Sequence, residues 1–212
     1  MREELNFIIT QRMERTAKAL RRNRMLCTCV DSAAEVAPLL KTLLTPGALI
    51  GNGRSATLEQ CGVMELVQNG DYDYIDKYAA KTDEEKWQMK ARVINADFFL
   101  ASANAVTENG EIYELDGHSS RIGPIAFGPK KVILVAGYNK IVPDLAAAEY
   151  RVRNIAAPAN AKRQNSATPC ATTGKCENCH SPGRICCSTL ILGPQRIENR
   201  VHVILVKEEL GY

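Results

Sequence analysis

A-L-I-G-N-G-R-S-A-T-L, residues 48–58, runs from a short apolar stretch through a glycine-rich turn into helix-forming sequence. A strand, a tight loop and a helix in that order are the repeating unit of α/β folds. Such a loop presents backbone N–H groups to an anion at the carboxyl end of the strand. The same alternation extends outward from this segment. Upstream, Leu5, Ile8, Ile9, Met13, Ala17 and Leu20 recur at helical spacing and predict an amphipathic first helix ending in the basic R-R-N-R run. Residues 25–30 read as a strand, and Ser32 with Glu35 forms a capping-box pattern for a second helix, in which Pro38 predicts a kink or a later start.

Downstream, residues 71–76 read as a strand, and Thr82 with Glu85 caps a helix that carries the single tryptophan, Trp87. Residues 97–101 form a buried-type strand. Asn109-Gly110, between strand-like flanks, is a strong hairpin signal. K-V-I-L-V-A, residues 131–136, is the clearest central strand, Pro143 opens an alanine-rich helix up to Ala157, and residues 201–206 supply the last strand. The fold class read from this alternation is α/β, with a mainly parallel sheet flanked by helices and ligands bound at the carboxyl ends of the strands. The organisation expected is an N-terminal helix over residues 1–22 and an α/β domain over 23–212, with a cysteine-rich segment, 169–188, inserted before the last strand.

The 212 residues carry 27 basic and 24 acidic side chains, a net charge of +3 that is too balanced to argue for nucleic acid as a partner. The charged first twenty residues lack the apolar run of a secretory signal, and no segment reaches the ~18 apolar residues of a membrane span. The chain therefore reads as cytoplasmic, where clustered cysteines serve metal binding or redox chemistry more often than disulfides. Five of the eight cysteines, Cys170, Cys176, Cys179, Cys186 and Cys187, fall within eighteen positions. Cys170, Cys176, Cys179 and Cys186 make a C-x5-C-x2-C-x6-C spacing, which fits a zinc ion, an iron–sulfur cluster or free thiols. Cys27, Cys29 and Cys61 read as core or half-buried thiols.

Three other constellations carry chemistry. G-N-G-R-S-A, residues 51–56, matches G-x-G-x-x-G/A, with Asp73 and Asp76 where a ribose-binding acid would stand, but Arg54, Ser55 and Thr57 suit a single phosphate or carboxylate equally, and a structural turn fits too. Glu108, before the Asn-Gly turn, is placed to act as a nucleophile or base at a cleft edge, or as an ordinary turn residue. D-G-H-S-S-R, residues 116–121, offers hydroxyls, an imidazole and a guanidinium for an anion, or simply turns the chain. His118 and His180 lack a partner at catalytic spacing.

Taken together, I-G-N-G-R-S-A-T-L (50–58), A-D-F-F-L-A-S-A-N-A-V-T-E-N-G-E-I-Y-E-L-D-G (96–117) and R-I-G-P-I-A-F-G-P-K-K-V-I-L-V-A-G-Y-N-K-I-V (121–142) resemble the lactate utilization, or LUD-domain, family, in a short single-domain branch with a C-terminal cysteine motif. The resemblance implies the fold of glucosamine-6-phosphate deaminase, ribose-5-phosphate isomerase and the coenzyme A transferases. T-E-N-G, residues 107–110, is similar to the S-E-N-G motif of class I coenzyme A transferases, which implies Glu108 as the catalytic residue. The ligand-binding set expected on this basis is Gly51, Gly53, Arg54, Ser55, Thr57, Asn104, Asp116 and Arg121. Ser119-Ser120 departs from the G-N expected before Arg121.

Three functions fit the sequence. One is a component of lactate or related 2-hydroxy acid utilization that binds a small anion, with iron–sulfur or zinc at the cysteines and a redox partner protein. The others are a transferase or isomerase for a phosphorylated or acyl-coenzyme A substrate, and a noncatalytic sensing module with a structural metal clamp.

Overall fold

The computed structural model of the chain describes residues 2–76 and 79–212. In chain order the elements are α1 (Glu3–Arg22), β1 (Leu26–Val30), α2 (Val36–Leu43), β2 (Leu49–Asn52), α3 (Ala56–Gln60), α4 (Val63–Asn69), β3 (Asp73–Tyr74), α5 (Asp83–Val93), β4 (Phe98–Ser102), β5 (Ala105–Thr107), β6 (Ile112–Asp116), α6 (Ile122–Ala126), β7 (Lys131–Gly137), β8 (Ile141–Val142), α7 (Leu145–Arg151), α8 (Ala157–Arg163), α9 (Pro169–Thr173), β9 (Ser188–Leu192) and β10 (Val201–Val206).

The main sheet is wholly parallel, in the order β1-β10-β7-β4-β2-β3. Its strands read as continuous apolar runs because helices cover both faces. Strand alternation then divides each run between two cores. Val132, Leu134 and Ala136 of β7 face Met13, Ala17 and Leu20 of α1 and Val93 of α5, while Ile133 and Val135 face Val36 and Leu40 of α2, Leu58 of α3 and Val63 and Val67 of α4. Each fully buried Val, Leu or Ile contributes roughly 1.5–3 kcal/mol, so the central strands carry much of the stability. At the start of α1, Leu5 and Ile8 stay exposed although they continue the apolar stripe.

Local signals explain the ends of several elements. Thr82 and Glu85 cap each other across the start of α5: the Glu85 N–H donates to the Thr82 hydroxyl at 3.1 Å and the Thr82 N–H to the Glu85 carboxylate at 3.0 Å. A 3-10 turn over Ala33–Glu35 precedes α2, so that helix starts later than its capping pattern suggests, and Pro38 falls in its first turn, where no helical N–H is needed. The strand expected over residues 71–76 shortens to the two residues of β3.

A smaller sheet, β8-β5-β6-β9, was not anticipated. Its core is the hairpin of β5 and β6, whose turn has Gly110 at φ +82°. β8 adds parallel to β5, and β9, from the end of the cysteine segment, adds antiparallel to β6. The helix predicted from Pro143 to Ala157 starts at Leu145 and loosens into a π-helical turn over Val152–Ala156 before continuing as α8. No helix among the described residues is long and apolar enough to cross a membrane.

Candidate functional site

Three neighbouring strands of the parallel sheet end at one place: Gly53 follows β2, Ser102 ends β4, and Lys140 follows β7. There they floor a cleft of about 220 Å³. Its walls are the loop 116–121, the helical stripe of Val152, Ala156, Asn160 and Arg163, and Gly211 with Tyr212. The position agrees with the rule that ligands of parallel α/β sheets bind outside the carboxyl ends of the strands.

Lys140 is the central cation. Its side chain is buried, and Nζ donates to Thr57 Oγ1 and to Ser102 Oγ, both at 2.8 Å. Removing an ammonium from water favours the neutral amine, and the positive charges of Arg151 and Arg121 act in the same direction; Glu114 opposes them, leaving the Lys140 pKa at about 7. Glu114, on β6, is its counterpart. It is fully buried, and desolvation raises its pKa to about 7 against the attraction of Arg121 and Lys140.

Arg121 Nη2 lies 3.1 Å from Glu114 Oε2, yet neither Glu114 oxygen receives a directed hydrogen bond. The reason is geometric: the same Nη2 donates to Asn104 Oδ1 at 2.8 Å and to the Leu115 carbonyl at 2.7 Å, which uses both of its protons. Glu114 therefore feels the arginine as a charge and gains nothing from it as a donor.

Asp116 shapes the loop. Its carboxylate accepts the backbone N–H groups of His118 at 3.1 Å, Arg121 at 2.7 Å and Ile122 at 3.3 Å. Burial works against its charge, but these N–H groups and the Arg121 guanidinium outweigh it and hold the pKa below the usual carboxylate range. The remaining cationic lining is Arg54 and Arg163, the latter with Nη2 on Asn160 and its guanidinium over the Tyr212 ring. Arg54, Arg121, Lys140 and Arg163 line the cleft, and the acidic side chain in its lining among the described residues, Asp116, has its oxygens already committed to backbone donors. The field in the cleft favours an anion.

Seven of the eight residues expected to bind ligand, Gly53, Arg54, Ser55, Thr57, Asn104, Asp116 and Arg121, line this cleft, and Gly51 does not. Gly51 lies inside β2, where an added Cβ would come within 2.7 Å of the Val93 side chain, so its role is to let α5 approach the sheet. Ser55 serves as N-cap of α3, accepting from the Leu58 N–H at 3.3 Å. Asp73 is engaged by Arg92 at 2.6 Å. His118 lines the cleft, and His180 is exposed on the cysteine loop.

The structure does not bring Glu108 to the cleft. Its carboxylate is held by α1, with Arg12 Nε at 2.8 Å and Arg15 Nη2 at 3.1 Å. Lys140, Glu114 and Ser102 were not singled out from the sequence. A glutamate between Tyr113 and Leu115 in a strand is the one signal that pointed to a buried charge.

Cys170, Cys176, Cys179 and Cys186 border one separate small cavity, while Cys187 and Cys29 are exposed and Cys27 and Cys61 buried. No group of three or more His, Cys, Asp or Glu side chains among the described residues stands ready to hold a metal ion.

Comparison with known proteins places this architecture. No curated protein matches the chain. The crystal structure of a DUF162 family protein from Deinococcus radiodurans superposes with a TM-score of 0.55, at 16% identity over 93% of this chain and 98% of that one, which shows a shared fold. The structure of eIF2B delta from Chaetomium thermophilum gives a TM-score of 0.36 at 15% identity over 57% and 51% of the two chains. The sequence model of the LUD domain matches residues 13–206, which span both sheets and all of the cleft lining but Gly211 and Tyr212, and the chain therefore belongs to the LUD-domain family, the lactate utilization proteins.

Proposed function

We propose that the protein serves the utilization of lactate or a related 2-hydroxy acid by binding the small carboxylate in the cleft floored by Lys140. The observation that carries this reading is the buried Lys140 ammonium, fixed by Thr57 and Ser102 among arginines, in a space of about 220 Å³. That volume suits a small acid. A carboxylate entering the cleft favours the charged form of Lys140, because its negative charge offsets the loss of hydration that disfavours the buried ammonium.

With a ligand carboxylate bound Lys140 is the ammonium, and the negative charge of an ionised Glu114 favours that form. Arg121 and Asp116 act as positioning residues that hold the loop 116–121 against the floor.

Calorimetric titration with L-lactate, D-lactate, pyruvate and inorganic phosphate tests the reading. A 2-hydroxy or 2-oxo acid should bind wild type, and Lys140→Met should weaken it at least tenfold while the far-ultraviolet circular dichroism is unchanged. Equal affinity of wild type and Lys140→Met, or binding of phosphate alone, would overturn it.

A further inference from the structure

The cysteine segment lends Ile185 to the cleft wall, and its thiols gather at a second cavity. Cys170 stands on α9, which ends at Gly174 with φ +72°, and the chain then runs without helix or strand until β9. Along this irregular path Cys170, Cys176, Cys179 and Cys186 all return to the border of one cavity of about 20 Å³, closed by Pro158, Pro169 and Ile185.

Arg184 crosslinks the two limbs of the loop. Its Nη1 donates to the Cys179 carbonyl at 2.6 Å, its Nε to the Cys186 carbonyl at 3.0 Å and its Nη2 to Asn178 Oδ1 at 3.2 Å. The peptide units carrying two of the thiols are thereby fixed relative to each other by a side chain that also brings positive charge. Cys187 lies outside this arrangement, exposed, with its Sγ turned to the Arg184 carbonyl at 3.4 Å.

We propose that Cys170, Cys176, Cys179 and Cys186 together hold a thiophilic metal centre, either one zinc ion or iron with sulfide. Soft thiolate donors select these metals. Binding releases the four thiol protons to solvent, and the Arg184 guanidinium offsets part of the excess negative charge of four thiolates around a divalent ion. The four cysteines border the space without forming a ready metal-binding group, so loading requires their side chains to turn inward. The segment adjoins the cleft: Ile185 and Ala157 border both cavities, and Gly117 of the cleft loop packs against the Ile185 backbone, leaving only 3.1 Å between an added Cβ and Ile185 Cα.

The test is metal and acid-labile sulfide per chain in protein purified without oxygen, for wild type, Cys176→Ser/Cys179→Ser and Cys187→Ser. The expected result is about one zinc, or iron with matching sulfide, in wild type and in Cys187→Ser, and a loss of at least fivefold in the double variant; zinc and iron with sulfide distinguish the two forms of the same site. If the double variant fails to fold, wild type stripped by a chelator is titrated with Co(II), and a thiolate-to-cobalt charge-transfer band saturating at one equivalent supports the site. Metal-free wild type that takes up no Co(II), metal retained in the double variant, loss of metal in Cys187→Ser, or a disulfide between any two of the four cysteines would each overturn it. None of these readouts depends on lactate binding, so failure here leaves the carboxylate reading of the cleft standing, and the reverse holds.

Discussion

Arg121 approaches Glu114 to 3.1 Å while giving its Nη2 protons to Asn104 and Leu115. The guanidinium is thus a structural crosslink first and a counter-charge second. Arg121→Met should destabilise the protein by about 3 kcal/mol at pH 8, where an ionised Glu114 loses its nearest positive charge, and by less at pH 5, where Glu114 is protonated. Urea unfolding at the two pH values measures the difference. Carbon-13 spectra of the Glu114 carboxyl should show its pKa moving above the wild-type value of about 7.

Glu114 and Lys140 impose opposite pH dependences. Glu114 has a folded pKa raised from 4.5 to about 7, so the folded state keeps its proton longer than the unfolded state, and stability from this group falls as pH rises across that interval. Lys140 has a folded pKa lowered from 10.5 to about 7, so its contribution is intact above 10.5 and is lost as pH falls towards 7. Thermal melts across these ranges should show Glu114→Gln removing the first slope, on the order of 3 kcal/mol, and Lys140→Met removing the second, on the order of 5 kcal/mol. Parallel curves for wild type and variant would contradict the burial of the group concerned.

Gly110 should resist replacement. It sits at φ +82°, and an added Cβ would come within 2.5 Å of the Ala19 backbone, where the end of α1 rests on the hairpin turn. Asn23 fastens the same contact by donating to the Gly110 carbonyl at 2.8 Å. Gly110→Ala combines left-handed strain with a backbone clash that no rotamer relieves, and a loss of about 3 kcal/mol or more is expected in chemical denaturation.

For Glu108 a small effect is expected. Its partners Arg12 and Arg15 are about one-third and more than half exposed, so the pairing is screened. Glu108→Gln should cost less than ~1 kcal/mol, with lactate affinity in the Lys140 cleft unchanged. A large fall in affinity would return this residue to the site through a rearrangement of α1.

The main sheet was legible wherever one local rule decided the conformation. Residues 132–136 alternate between two buried faces and could be little else, the Thr82–Glu85 pair is self-contained within one helical turn, and Asn109-Gly110 fits its turn because only glycine meets φ +82° cheaply. The small sheet was hidden because β8 has two residues and β9 is a half-buried edge that gains its identity from β6, far away in the chain. The heart of the site was hidden for a similar reason. In Y-N-K-I-V nothing marks Lys140 as buried, and its setting exists only once β2, β4 and β7 lie side by side. The glycine loop and the 116–121 loop were readable as cleft-lining because their polar residues are contiguous, whereas Glu108 drew attention through a four-residue likeness that says nothing of where α1 will lie.

The order of strands also bears on how the chain comes to be folded as it leaves the ribosome. β1 emerges early, but β10 is its only strand neighbour among the described residues, with Leu26 opposite His202, and β10 in turn separates β1 from β7. Until the last strand appears, β1 has no hydrogen-bonding partner, and the edge of β7 that β10 will occupy stays open. The nascent chain therefore carries two unpaired apolar edges through most of its synthesis, and a ribosome-bound chain halted before residue 201 should remain dependent on chaperones and sensitive to protease however complete the rest of the sheet.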